Sequence, residues 1–413
     1  MFRYQSHHQK QRGYLIVLVL VFGSIFLVIV SSFIGWIISQ NQVVNFRHEQ
    51  QRATEIAEAG LNAYRWYLAH FPDDLTTSTT SVYVDPEAGP IGEYTLNVTR
   101  NNLCGSTASI EVESTGFTYV NPAASSTVQA RYARPTVAEF SFITNGATWY
   151  GDDRVITGPI HSNQGIRMDG SHNSFVGSGQ TDWNCTGSFG CTPDQTVDGV
   201  YTTSGNATPG LFAFPVSPVD FAGITLDLSE MKDRAENNGG IYRGPSSGWG
   251  YRVTFNPGNT ITLREVTGTY DYRSSDTGSS WQWGERNVIT AQTAGVTIPI
   301  DPDCPLIYLE DKVWLEGQVE QKVTLAAANL SSGAQTNIVL HDNITYAGSD
   351  AGLLAIAEDD VDVGLTVPDD MTANGIYIAQ NGRFGRNNYW AGYLPSVLDP
   401  YVCRDTLTRF GSV

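Results

Sequence analysis

The sequence predicts an α+β N-terminal part, in which a long helix precedes a small antiparallel sheet, and then a mainly-β exported domain. An uncharged apolar run begins at Tyr14 and passes into an amphipathic pattern that no proline interrupts before Pro72. Alternating apolar and polar residues follow as far as about residue 137. After Pro72 helical periodicity is nearly absent, and glycine is abundant, with 41 in the 413 residues. These features are typical of a β-rich protein.

The first element is one continuous helix over residues 14–72. Its uncharged stretch exceeds the ~20 residues that cross a bilayer, and it is longer than the apolar core of a secretory signal. Further along, Ala53, Ile56, Ala57 and Gly60 recur on one helix face. We therefore expect the second half of the helix to pack against the rest of the exported chain.

Residues 1–13 form a short basic leader. Arg3, Lys10 and Arg12 lie in it, no acidic residue does, and Gly13 directly precedes Tyr14. Positive charge on this side of a membrane helix predicts that the N-terminus stays in the cytoplasm and that the rest of the chain is exported.

A basic leader, a glycine and an aromatic residue before a long apolar helix resemble the type IV prepilin signal. The stretch RATEIAEAGLNAYRWYL is similar to minor pilins of the PilX kind and to type II secretion pseudopilins. The resemblance implies that prepilin peptidase cuts between Gly13 and Tyr14 and that the helix binds other pilin or pseudopilin subunits. It implies a single-pass protein of the cytoplasmic membrane, periplasmic or extracellular once assembled in a filament. The alternative is an uncleaved anchor with a chance glycine.

The chain departs from the pilin pattern at Leu18. Most pilins carry Glu at this fifth position of the mature chain, whereas here no carboxylate occurs before Glu49. An unpaired carboxylate in an apolar helix bundle is costly, and the large K-type tip pseudopilin also lacks this Glu. The resemblance therefore implies a tip subunit, although a protein outside any filament would lack the Glu as well.

The exported part divides into a small antiparallel sheet at 73–137 and a β-rich domain at 138–413. Short apolar segments broken by Gly or Asn recur in the β-rich domain, and in one of them Val313, Leu315 and Val319 share a face. Such segments suit the rungs of an irregular, right-handed β-solenoid with an insertion at about 215–290. A β-sandwich is the alternative.

The net charge and the acidic clusters of the chain limit which ligands it is expected to bind. With 24 Lys and Arg against 42 Asp and Glu, the formal charge is −18, which argues against nucleic acid as a partner. Asp359, Asp360 and Asp362 are weak candidates for a structural Ca²⁺ site, with a solvated acidic turn as the default interpretation. We expect no other cofactor.

Export permits disulfides among the five cysteines. Cys185 and Cys191 flank a glycine-containing loop and are the first predicted pair. Cys304 and Cys403 are the second predicted pair, at the start and end of the last β block, which leaves Cys104 over.

One aromatic group predicts a binding surface. In YDYRSSDTGSSWQW, a hairpin turn at Asp276 and Thr277 would place Tyr272 opposite Trp281 and Tyr270 opposite Trp283. Cross-strand aromatic pairs stabilise hairpins, and an exposed set would also be a platform for glycans or a surface.

The predicted function is that of a structural and assembly subunit of a type IV pilus or type II secretion-like filament, namely a minor pilin at the tip with an adhesive role. We identify no catalytic residue and do not expect an enzyme. The alternative is a membrane-anchored β-helix that binds or cleaves extracellular polysaccharide.

Overall fold

The computed structural model describes residues 14–71, 74–75, 78–133, 139–221, 228–276, 280–331 and 336–413. The leader and Gly13 lie outside the described residues. The chain forms two compact units, and residues Asn102–Ser106 group with the second.

The first unit contains one long helix and an antiparallel sheet. Helix α1 runs from Tyr14 to His70. The sheet has the order β1-β2-β3-β4, with the bounds β1 (Ser78–Asp85), β2 (Gly89–Leu103), β3 (Ser106–Thr118) and β4 (Ser126–Tyr132).

Only the second half of α1 is covered by the first unit. Its buried residues all lie between Glu49 and Tyr64. Small side chains allow a close approach, because a Cβ at Gly116 of β3 would lie 2.6 Å from the Ala57 nitrogen of α1. The alanine and glycine face of the helix therefore packs backbone against backbone on the sheet.

The second unit begins with short strands that pair in parallel. Their bounds are β5 (Phe142–Thr144), β6 (Thr148–Tyr150), β7 (Val155–Ile156), β8 (Ile160–Ser162), β9 (Ile166–Met168), β10 (Ser171–His172), β11 (Val176–Ser178), β12 (Asp182–Cys185), β13 (Gln195–Asp198), β14 (Val200–Tyr201) and β15 (Phe212–Ala213). The parallel sheets are β15-β11-β8-β5, β14-β9-β6 and β10-β7, so the chain visits the sheets in turn. Strands β12 and β13 form an antiparallel excursion.

The remaining elements build a larger block. Their bounds are α2 (Leu228–Asn237), β16 (Ile241–Arg243), β17 (Tyr251–Asn256), β18 (Thr260–Thr269), β19 (Tyr272–Ser274), β20 (Gln282–Glu285), β21 (Ile289–Gln292), β22 (Val296–Pro299), β23 (Leu306–Leu309), β24 (Val313–Val319), β25 (Lys322–Ala327), β26 (Ile338–Tyr346), β27 (Gly352–Ala357), β28 (Val361–Val363), β29 (Asp370–Thr372), β30 (Ile376–Ala379), β31 (Phe384–Gly385) and β32 (Thr406–Thr408).

Two parallel sheets enclose the main core of this block. We call β16-β23-β25-β27-β30 the first large sheet and β17-β24-β26-β28-β31 the second large sheet. The chain alternates between them, and buried Leu309, Leu315, Leu325 and Leu340 belong to one hydrophobic cluster. The strands β16 and β17 lie inside the insertion predicted at about 215–290, yet they pair in parallel with β23 and β24. The antiparallel strands β18 to β22 follow them and extend to Pro299.

The last residues complete the pairing between the two blocks of the second unit. The amide of Tyr377 donates to the Ser412 carbonyl at 2.9 Å, and the amide of Ile143 donates to the Val413 carbonyl at 2.7 Å. The segment 410–413 therefore lies between β30 and β5. A Cβ at Gly411 would collide with the backbone carbonyl of Gly375, so this position needs glycine.

Two disulfides are present among the described residues. Cys185 and Cys191 are bonded to each other, as their spacing predicts. The predicted Cys304–Cys403 pair is wrong, because Cys304 bonds Cys104 and Cys403 is a free, exposed thiol. The Cys104 amide donates to the Asp303 carbonyl at 3.0 Å, which brings two positions 200 residues apart into bonding range.

Candidate functional site

The hairpin of β19 and β20 separates the four aromatic residues that the sequence singled out. Tyr272 pairs with Glu285 and Arg273 with Trp283, with a register shift between Tyr272 and Arg273. The predicted facing of Tyr272 with Trp281 and of Tyr270 with Trp283 is therefore wrong. A one-residue irregularity moves side chains to the other face of a strand.

The two tyrosines are structural. Tyr272 is fully buried in a cluster with Leu365, Tyr389 and Leu398, and half-buried Tyr270 packs against this cluster. Tyr272 is therefore inaccessible to a ligand, and Tyr270 is held against the cluster with part of its surface covered.

Trp281 contacts rings from a distant segment, whereas Trp283 is linked to one of those rings through Arg273. Trp281 lies 5.2 Å from Tyr393 and 6.4 Å from Trp390, measured between ring centroids. Trp283 is 62% exposed and Trp390 is 57% exposed. We call Trp281, Trp283, Trp390 and Tyr393 the aromatic platform. Sequence reasoning missed Trp390 and Tyr393, although the dense aromatic run NNYWAGY was a visible signal.

One arginine connects the rings of the platform. The Arg273 guanidinium lies 4.8 Å from the centroid of Trp283 and 5.2 Å from that of Tyr393. Its Nε atom is buried without a hydrogen-bond partner. Within the described part of the chain, no carboxylate forms an ion pair with Arg273. Cation–π contacts therefore orient this side chain.

Backbone pairing fixes the two segments that carry the platform. Ser275 and Asn388 form an antiparallel bridge, with N–H to carbonyl distances of 3.1 Å and 2.7 Å. The Asn388 amide group also donates to the Ser275 carbonyl at 3.2 Å. Backbone pairing within the chain thus holds together the two segments that carry the platform.

Glu285 ties the same segments together through its carboxylate. Tyr389 Oη donates to Oε1 at 2.7 Å, Asn287 Nδ2 donates to Oε1 at 3.0 Å, and Asn387 Nδ2 donates to Oε2 at 2.8 Å. Burial and the Glu285 charge raise the pKa of Tyr389 well above its ordinary value. The Tyr389 hydroxyl therefore remains a donor throughout the physiological pH range.

A buried polar network continues beneath the hairpin, on the outer face of the second large sheet. Lys312 Nζ donates to Asn287 Oδ1 at 2.9 Å, and desolvation lowers the pKa of Lys312. Asp362 is also buried, and desolvation followed by the Glu285 charge raises its pKa to about 6. Trp314 completes the network by donating its Nε1 proton to the Asn287 carbonyl at 2.8 Å.

The three predicted calcium ligands do not converge. Asp360 Oδ1 accepts the backbone N–H of Arg383 at 2.7 Å, whereas Asp362 Oδ2 accepts from Asn337 Nδ2 at 3.3 Å. Over the residues that the structure describes, no group of three or more His, Cys, Asp and Glu side chains is placed to hold a metal ion.

The apolar half of α1 is the second candidate functional feature, as a possible membrane span. It is long and apolar enough to cross a membrane, and none of its most apolar stretch is buried against the rest of the chain. Tyr14 and Leu18 are exposed in this half. Glu49, in contrast, is buried and accepts a hydrogen bond from Thr118 Oγ1 at 2.5 Å.

No protein-family profile matches the chain, and no curated protein matches its sequence. Among solved structures, the chain is similar to the competence-associated pilin ComZ from Thermus thermophilus. The identity is 13%, the match covers 82% of this chain and 92% of that one, and the TM-score is 0.19. A TM-score of this size supports no inference about fold or function.

Proposed function

We propose that the protein is a membrane-anchored subunit of a type IV pilus or type II secretion-like filament. The observation that carries the proposal is the divided burial of α1. Residues from Glu49 to Tyr64 contain all of its buried positions, whereas the apolar stretch before them is uncovered. Such a stretch requires lipid or the helices of neighbouring subunits around it.

The position that we propose within the filament is the tip. A carboxylate at Leu18 would need a neighbouring amine to offset its desolvation, which costs several kcal/mol when the charge is unpaired. A subunit with no neighbour above it is more stable with an apolar residue there. The size of the second unit supports the same position, since repeating it along a closely packed shaft would cause steric conflict.

For the second unit we propose an irregular β-solenoid. Support comes from the alternation of the chain between the first and second large sheets, in which β23, β25 and β27 pair in parallel, as do β24, β26 and β28. In a solenoid each turn stacks on the previous one and directs alternate residues inward.

Mass spectrometry of the natively exported protein tests the proposed processing. We expect the mature chain to begin at Tyr14, and we expect Gly13→Leu to retain the leader while Gly23→Ala is processed normally. A mature protein that begins at Met1, or one cut after the apolar stretch, would exclude processing as a pilin.

A membrane-anchored polysaccharide-binding protein is the second candidate, and the exposed aromatic platform favours it. The two candidates differ in processing, because a simple anchor requires no cut at Gly13. An intact leader together with polysaccharide binding would favour this second function.

A further inference from the structure

We propose that the aromatic platform and Arg273 form a binding site for acidic polysaccharides, in which a sugar carboxylate meets the guanidinium. The inference deepens the adhesive role and rests on the proposed function only in that the second unit is exported. It concerns Arg273, Trp281, Trp283, Trp390 and Tyr393.

The exposed rings favour a sugar over a protein partner. Tryptophan and tyrosine combine an apolar ring with a polar edge, which suits a ligand whose faces are apolar and whose rim is polar. The rings are tilted against one another, with angles of 57° between Trp281 and Trp390 and 76° between Trp390 and Tyr393. The intervening residues Ser274, Gln282 and Gly392 are small or polar rather than aliphatic. A protein interface would bring a more continuous apolar core.

The charge of the site selects an acidic sugar. Arg273 has no ion-pair partner in the described part of a chain whose formal charge is −18. A guanidinium presents several N–H donors in a fixed plane, which matches a carboxylate in a bidentate arrangement. A uronic acid residue would supply both the ring face and this carboxylate.

Arg286 provides a comparison within the same hairpin region. It forms an ion pair with Asp271, and its guanidinium lies 4.3 Å from the centroid of Trp249. This arginine already has its counter-ion, so Trp249 and Arg286 serve as an internal control for an aromatic–arginine contact without ligand binding.

Preorganisation makes the site suitable for binding. The Ser275–Asn388 bridge and the Glu285 carboxylate hold the two ring-bearing segments in place. A ligand would therefore not have to order these loops, which reduces the entropic cost of association.

Calorimetric titration of the detergent-solubilised full chain tests the inference, with polygalacturonate as the acidic probe and its methyl ester as the matched uncharged probe. We expect polygalacturonate to bind more tightly than the ester, and we expect its affinity to fall as salt is added. Arg273→Gln is expected to weaken polygalacturonate binding about tenfold or more and to leave binding of the ester nearly unchanged.

Ring variants provide the second comparison. Trp283→Ala and Trp390→Ala are expected to weaken binding of both polymers, whereas Trp249→Ala changes neither. Circular dichroism and the urea midpoint establish that each variant is folded.

Equal affinity for the acid and its ester would overturn the role of Arg273. Failure of the folded chain to bind either polymer, or recognition of a protein ligand alone through these rings, would overturn the site itself. A mature N-terminus at Tyr14 in the same preparation would leave the proposed filament function standing in all of these cases.

Discussion

Soluble proteins usually bury apolar residues and expose charged ones. The apolar stretch of α1 exposes apolar residues, whereas the outer face of the second large sheet covers charged ones. Apolar residues such as Leu15 and Phe22 are exposed in the first region, whereas Asp362 is buried and Lys312 is half-buried in the second. The outer face of this sheet is covered by other parts of the same chain, namely the β19–β20 hairpin and the polar network beneath it. Within the described residues nothing covers the apolar helix surface, and the partners that we propose for it are the membrane and other subunits.

The largest expected effect concerns the covered sheet surface, through Glu285→Ala. The hydroxyl of Tyr389 and the amides of Asn287 and Asn387 would lose a common acceptor, and we expect a loss of about 4 kcal/mol in the free energy of unfolding. Urea titration of the second unit, followed by tryptophan fluorescence, measures it. Glu285→Gln keeps one acceptor oxygen and should lose about half as much. Equally small losses in both variants would mean that the network does not stabilise the hairpin.

The covered half of α1 is tested by Gly116→Ala. The added methyl group would meet the helix backbone at the Ala53 carbonyl and the Ala57 nitrogen, and backbone cannot move aside as a side chain does. We expect a loss of about 3 kcal/mol, measured as faster amide hydrogen exchange in β3 and β4. Unchanged exchange would show that the helix does not pack on the sheet as described.

Asp362→Asn tests how much stability the protein loses by burying the Asp362 carboxylate. Because the folded-state pKa of Asp362 is raised to about 6 from an ordinary value of 3.8, the folded protein retains a proton that the unfolded chain loses. Stability should therefore fall as the pH rises from about 4 to 6, and Asn should abolish this fall. Between pH 4 and pH 7 the variant should gain about 2 kcal/mol relative to the native chain. If the urea midpoints of the native chain and the variant change with pH in the same way, the pKa of Asp362 is not raised in the folded protein.

The smallest expected change in stability comes from a comparison of two glycines of α1, Gly60 and Gly35. A Cβ at Gly60 would meet Ser114 Oγ and lie 2.8 Å from the Tyr94 ring, whereas a Cβ at Gly35 would meet nothing within 4 Å. Gly60→Ala should destabilise the first unit by about 1 kcal/mol after the gain in helix propensity is included. Gly35→Ala should leave that unit unchanged in detergent. If the two variants behave alike, the distinction between covered and uncovered halves fails.

Local periodicity predicted those parts of the fold that depend on neighbouring residues. The α1 helix, with its small face at Ala53, Ala57 and Gly60, was visible in the sequence because spacing alone defines a helix face. The pairing of Cys185 with Cys191 was also predictable, since only six positions separate them.

Contacts between distant residues were not predictable in the same way. Trp281 meets Trp390 only because a bridge at Ser275 and Asn388 brings their segments together, and the hairpin register depends on an irregularity at Tyr272. The partner of Cys304 likewise depends on where the turn at Cys104 lies. Such pairings reflect the tertiary path of the chain, which composition and spacing do not encode.

We propose that the uncovered half of α1 inserts into a filament and that this subunit occupies its end. Immunogold labelling of sheared filaments, with antibodies against the second unit, tests this claim most directly. We expect gold at one end of each filament, at a stoichiometry far below that of the major subunit. Gold spread along the shaft at a stoichiometry near that of the major subunit would contradict the tip position, and filaments without gold would contradict the filament role itself.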